Sequence, residues 1–253
     1  MGDIRWNDVA SLYDAYVTVD FDVPFFVAEA EKAAGEVLEL MAGTGRVSLP
    51  LVEAGARLTC LDSSEEMLAV LRRKLSARGL HATVAQADAR NFDLGHVYDL
   101  AILPFNSFSE LVEPDAQASA LASVHCHLRP GGRFICTLHN PGARRRTVDG
   151  QPRLEGSYPL ADGTLLLWST ARFAAGGQVV EGVQVYQEYA ADGVLKRQRK
   201  LEMRFALIER HEFEQRAFAA GFSLQSLYGD YDRSPFDPDR SPYMIWLLER
   251  PPL

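Results

Sequence analysis

Gly43 and Gly45 stand on either side of Thr44, directly after the apolar run Glu36–Met41. Glycines there let a backbone approach a ligand closely, and a helix start follows them. Asp62 closes the next apolar run, and a carboxylate at that place can take two ribose hydroxyls. Together these features point to an adenosine-containing cofactor; the glycines alone would say little. A dinucleotide loop, G-x-G-x-x-G, wants a third glycine where this chain has Ser48. Glu39, just before the turn, suits a ligand that carries an ammonium and no pyrophosphate.

Other residues offer chemistry with a plainer reading beside it. His139 follows an apolar run and is the leading general base; the alternative is a loop histidine bonded to backbone. Asn106 either bonds a ligand or makes a turn. Tyr13 and Tyr16 either line a reaction site or pack their helix, and Arg46 either meets a carboxylate or is solvated. Arg144-Arg145-Arg146 is either a solvated loop or an anionic-substrate contact. His125 and His127 do not share a helix face, and His211 is given no role. Cys60, Cys126 and Cys136 have no metal-ligand spacing, so metal-independent chemistry is expected.

Positioning these groups requires a specific scaffold. Residues 1–35 read as two amphipathic helices. Strands are predicted at 36–41, 57–61, 81–86, 98–103 and 133–138, with helices at 46–54, 63–77 and 113–128. This alternation predicts an α/β fold with a parallel sheet covered on both faces. After His139 the pattern changes. A polar loop at 141–151 precedes hairpin signals at Asp162-Gly163, Gly176-Gly177 and Asp192-Gly193, which predict a four-stranded antiparallel meander. The α/β pattern resumes with a helix at 209–220 capped by Gly221. Strands at 222–228 and 243–249 flank a long loop at 229–242, and loops of that length are often functional. The expected organisation is an N-terminal lid (1–35), a cofactor-binding α/β domain (36–141 and 209–253) and an inserted sheet (142–208) covering the active site.

Taken in order, these segments resemble class I S-adenosylmethionine-dependent methyltransferases. Glu39 to Gly45 is similar to their E-x-G-x-G-x-G motif, with Met41 where the first glycine usually stands. Asp62 to Leu68 resembles the ribose-binding end of strand two, and Gln86 to Arg90 the segment whose Asp meets the adenine. Tyr98 to Ile102, Leu128 to Gly132 and Ala219 to Phe222 resemble strand four, the turn before strand five and the step before strand six. The resemblance implies a Rossmann-like, doubly wound seven-stranded sheet, mostly parallel with an antiparallel last strand. It implies S-adenosylmethionine as cofactor, held by Tyr16, Glu39, Ala42, Gly43, Thr44, Gly45, Arg46, Asp62, Ser63, Met67, Asp88, Ala89, Leu103 and Asn106. His139 and Tyr13 are the implied catalytic pair. The sheet after strand five resembles that of sugar-amine and glycine-type N-methyltransferases, implying methylation of N or O on a small molecule.

Composition narrows the rest. The 253 residues are 47% hydrophobic and 24% charged, with net charge −8. That is globular composition without the basic face a nucleic-acid binder needs. No apolar stretch is long enough to span a bilayer. Met1–Asn7 lacks a signal pattern, and the cysteines fit a reducing cytoplasm. A monomer and a homodimer are both open. The competing functions are a nicotinamide-dependent oxidoreductase and a non-catalytic S-adenosylmethionine-binding protein.

Overall fold

The computed structural model describes residues 4–33 and 35–252. Met1–Asp3 and Ala34, which belong to the expected N-terminal lid (1–35), lie outside the described residues. A short 3₁₀ turn, Trp6–Val9, leads into α1 (Ala10–Tyr16) and then α2 (Val23–Ala33). β1 (Glu36–Leu40), α3 (Ser48–Glu53), β2 (Arg57–Asp62), α4 (Glu65–Ala77), β3 (Thr83–Gln86), β4 (Tyr98–Leu103), α5 (Pro114–Cys126) and β5 (Leu128–His139) follow, alternating except that no helix separates β3 from β4. α6 (Pro141–Arg145) precedes β6 (Arg153–Leu160), β7 (Gly163–Phe173), β8 (Val179–Ala190) and β9 (Leu195–Ala206). α7 (Arg210–Ala219), β10 (Ser223–Tyr228) and β11 (Tyr243–Glu249) close the chain.

The helices start where local chemistry satisfies their free N–H groups. Ser64 caps α4, its Oγ accepting from Met67 N at 3.2 Å, with Glu65 and Glu66 in the first turn. Glu209 and Glu212 form a capping box on α7. Pro114 opens α5, where its missing N–H costs nothing. The polar loop expected at 141–151 instead begins with α6, because Asn140 caps it by accepting from Gly142 N and Pro141 fills its first position. β3 starts at Thr83 rather than His81, and α3 at Ser48, because residues 43–47 are spent on the turn.

The main sheet has the order β10-β11-β5-β4-β1-β2-β3. β3, β2, β1, β4 and β5 run parallel, and β11 is antiparallel to both neighbours. Strand order reverses between β1 and β4: β2 and β3 are added to one side of β1, and β4 and β5 to the other. Open α/β sheets bind ligands in the crevice at such a switch point, beyond the C-terminal strand ends. The central strands are apolar on both faces, and Trp246, Tyr98, Phe134 and Phe213 fill the core around them.

β6–β9 form a separate antiparallel sheet paired in sequence order. Its inner face, with Leu165, Leu167, Leu201 and Met203, packs against Val9 and Leu12 of the N-terminal segment. α2 is fastened differently. The buried carboxylate of Glu29 accepts from Lys32 (2.7 Å), Arg133 of β5 (2.6 Å) and Arg233 of the late loop (2.7 Å). Burial alone would raise this acid, but the three cations hold it down at about 2.

Candidate active site

A cavity of about 490 Å³ opens over the C-terminal ends of the sheet. The glycine loop forms one wall. Ala42 N donates to Leu61 O at 3.0 Å, and Gly43 N to Asp62 Oδ2 at 2.8 Å. Ser64 N donates to the other carboxylate oxygen at 2.8 Å, so Asp62 is clamped by two backbone amides and faces the cavity. Gly43 has φ +57, and a Cβ there would meet nothing within 4 Å. Its open side is the cavity itself. Gly45 has φ +85, and a Cβ there would lie 2.3 Å from Leu71 Cδ1. Met41 also adopts a left-handed backbone, φ 55, and its side chain lines the cavity. The residue that departs from the glycine pattern thus keeps the glycine conformation, at a cost of roughly 1–2 kcal/mol.

Two residues past β3 stands Asp88, which receives Arg90 Nε at 2.9 Å on each oxygen and Arg90 N at 2.8 Å. Both residues line the cavity, together with Ser63, Met67 and Ala89. Past β4, Phe105 (φ 60) and Asn106 (φ 62) are consecutive left-handed residues. Two such residues in a row are strain of the kind that concentrates at functional sites. Asn106 N donates to Thr137 Oγ1 at 3.2 Å. Its buried Oδ1 has no partner among the described residues, an unusual state for a polar atom.

His139 ends β5 with its exposed surface turned into the cavity and its ring stacked on Tyr243, centroids 5.9 Å apart. Surrounding protein and then the Arg144 charge push its pKa down to about 4. At neutral pH the ring is therefore uncharged and presents a lone pair. Tyr13 lines the cavity between Trp6 and Tyr16. Burial, and then the carboxylate of Glu110, hold its phenol far above the ordinary range, so it stays neutral.

Nine expected residues line one cavity: Tyr13, Gly43, Asp62, Ser63, Met67, Asp88, Ala89, Asn106 and His139. Seven others stand outside its wall. Tyr16 is turned to the inserted sheet, where its hydroxyl pairs with Tyr186 at 2.9 Å. Glu39 lies beneath the turn, 1% exposed, accepting from Ser48 Oγ at 2.5 Å. Burial lifts its pKa to about 8. Thr44 donates to Asp14 of α1 at 2.6 Å, and Arg46 makes a two-pronged pair with Asp22 beneath the Phe105 ring. Ala42, Gly45 and Leu103 shape the wall from behind.

Sequence reasoning did not single out Phe105, Glu110, Phe205 or Leu207, which line the cavity and carry no motif. Tyr231 and Tyr243 also line it, and their only signals were the long loop at 229–242 and the start of the strand that follows it. The arginine run divides: Arg145 pairs with Glu209 at 2.6 Å, Arg146 donates to Asp239 O at 3.3 Å, and Arg144 enters the cavity.

Comparison with known proteins agrees with this geometry. Residues 37–132 match a methyltransferase domain family. The CcbJ methyltransferase of Streptomyces caelestis superposes with a TM-score of 0.78 at 26% identity, covering 98% of this chain and 96% of that one. A cypemycin N-terminal methyltransferase from Streptomyces sp is 27% identical over 222 residues, 85% of this chain and 82% of the relative. A glycine/sarcosine N-methyltransferase from Halorhodospira halochloris is 30% identical over 195 residues, 76% of this chain and 64% of the relative. These findings displace the oxidoreductase and non-catalytic readings. The sheet order, the clamped Asp62 beside the glycine turn and these similarities give the chain the fold of class I S-adenosylmethionine-dependent methyltransferases, with a methyltransferase domain at residues 37–132.

Proposed function

We propose that this enzyme methylates a nitrogen of a small-molecule acceptor. The observation that carries the reading is the cavity itself: it is bounded above by the N-terminal segment and the inserted sheet, with Ile4, Trp6, Val180 and Phe205 among its walls. A volume of about 490 Å³ suits a cofactor and a small acceptor. The relatives named above as N-methyltransferases support nitrogen as the methylated atom.

The residues present fit the cofactor. Open space beside Gly43 admits its ribose, and the preset carboxylate of Asp62 retains lone pairs for two hydroxyls. Ser63, Met67, Asp88 and Ala89 would surround the adenine. Glu39, Ala42, Thr44, Gly45, Arg46, Leu103 and Tyr16 act in this reading through the shape and field of the walls. Bound S-adenosylmethionine supplies a methyl group already activated by its sulfonium charge. The protein's own task is to exclude water and align the nucleophile. Neutral His139 accepts a hydrogen bond from the acceptor's N–H, and the unpartnered Oδ1 of Asn106 can take a second. Phenolic Tyr13 contributes a wall and a donor. Residues 1–35 and 142–208 are covers on a cofactor domain in this reading. The exposed free thiol of Cys126 supports a reducing cytoplasmic setting.

Amines and matched alcohols, incubated with S-adenosylmethionine and assayed for S-adenosylhomocysteine release, test the proposal. Turnover of alcohols alone, or silence across amines from protein that binds the cofactor, would refute it.

A further inference from the structure

We infer that Arg144 anchors an anionic group, carboxylate or phosphate, on the methyl acceptor. The inference rests on the proposed amine methylation and names the acceptor's chemical class. Arg144 lines the cavity, and among the described residues its guanidinium has no hydrogen-bond or ion-pair partner. Its neighbours in the run, Arg145 and Arg146, both have one. Glu155 acts on Arg144 only at a distance, and its carboxylate accepts from Ser169. A cation drawn out of water without a partner is costly, and the burial that depresses Arg144 reflects that cost. An incoming anion would offset it through two parallel N–H···O bonds.

The support is rigid. Arg144 belongs to α6, whose cap Asn140 is 3% exposed and donates to Pro238 O at 2.9 Å and Ser241 O at 2.7 Å. Placement separates Arg144 from the cofactor's ribose. Asp62 ends β2, whereas α6 follows β5, three strands along the sheet. At about 4.8 Å per strand this is roughly 14 Å. The glycine turn after β1 lies between the two, and Arg144 stands on the far side of the cavity from Asp62, close enough to His139 for its charge to act on that ring. Amine and anion would then sit at neighbouring points of one acceptor.

The test is calorimetric titration of benzoate, phenyl phosphate and neutral benzamide into protein saturated with S-adenosylhomocysteine. Wild type, Arg144→Gln and Arg145→Gln are compared. An anion should bind wild type and Arg145→Gln alike, and Arg144→Gln at least tenfold more weakly, with benzamide indifferent to the change. Benzoate ahead of phenyl phosphate assigns a carboxylate, and the reverse order a phosphate. The inference is overturned if neither anion binds, or if Arg144→Gln leaves their affinity unchanged. A tenfold loss of S-adenosylmethionine affinity in Arg144→Gln, with anion binding intact, would also overturn it, by giving Arg144 to the cofactor's own carboxylate. Failure of every amine in the turnover screen, with Arg144-dependent anion binding retained, would remove the methylated atom and keep the anchor.

Discussion

Replacing Glu39 with Gln keeps the side chain's shape and removes its ability to ionise. Burial lifts Glu39 from an ordinary 4.5 to about 8, against the opposing hydrogen bond from Ser48 and charge of Arg46. The folded protein therefore keeps a proton that the unfolded chain gives up. Glu39's contribution to stability is full below pH 4.5 and is lost progressively as pH rises to about 8. At roughly 1.36 kcal/mol per tenfold change in proton affinity, that loss is at most about 5 kcal/mol. Gln does not titrate, so the variant lacks this decline. Any cost of burying its amide is the same at every pH. Urea denaturation of both proteins at pH 5, 7 and 9 should show the variant gaining on wild type by several kcal/mol across the series. A constant difference would refute the reasoning, and would mean that Glu39 is ionised in the fold and paired through space with Arg46.

Three further outcomes follow from the same geometry. Gly45→Ala places a Cβ against Leu71 at φ +85 and should cost about 1–3 kcal/mol in denaturant melts, whereas no loss would show that the turn relaxes freely. Asp62→Asn keeps the size but removes a charged acceptor worth about 1.5–3 kcal/mol, so S-adenosylmethionine should bind roughly ten- to a hundredfold more weakly by calorimetry; unchanged affinity would move the ribose elsewhere. The imidazole of His139 should titrate near 4 by NMR, so its contribution to stability, full above pH 6.5, is lost as pH falls toward 4; titration near 6.5 would show it open to bulk water.

The sequence made the scaffold legible because alternation of strand and helix is local. Turn chemistry was nearly as clear: Asp162-Gly163, Gly176-Gly177 and Asp192-Gly193 sit at the three hairpins of the inserted sheet. Gly43 and Asp62 were readable as a pair because one donates its amide to the other. Side-chain direction was not readable. Tyr13 and Tyr16 lie three apart on one helix, yet one faces the cavity and the other turns to Tyr186, because the inserted sheet arrives from far along the chain. Arg46 looked available at its helix start, and Asp22 claims it from the turn before α2. α6 was missed although Asn140-Pro141 spells a helix start, because five residues give no periodicity.

The three cations on Glu29 bear on when the enzyme is born as well as how it stands. They join α2 to residues 104 and 204 positions further along. β11, which lies between β5 and β10, comes from the last segment of the chain. On a ribosome α2 emerges before these partners and must wait for them. Until then Tyr231 and Tyr243 are missing from the cavity and His139 lacks the ring it stacks on. A nascent chain can thus hold its glycine turn and clamped Asp62 long before it has an enclosed chamber. Arrival of the segment that carries Tyr231 and Tyr243 is the step that turns a cofactor-shaped groove into a reaction vessel.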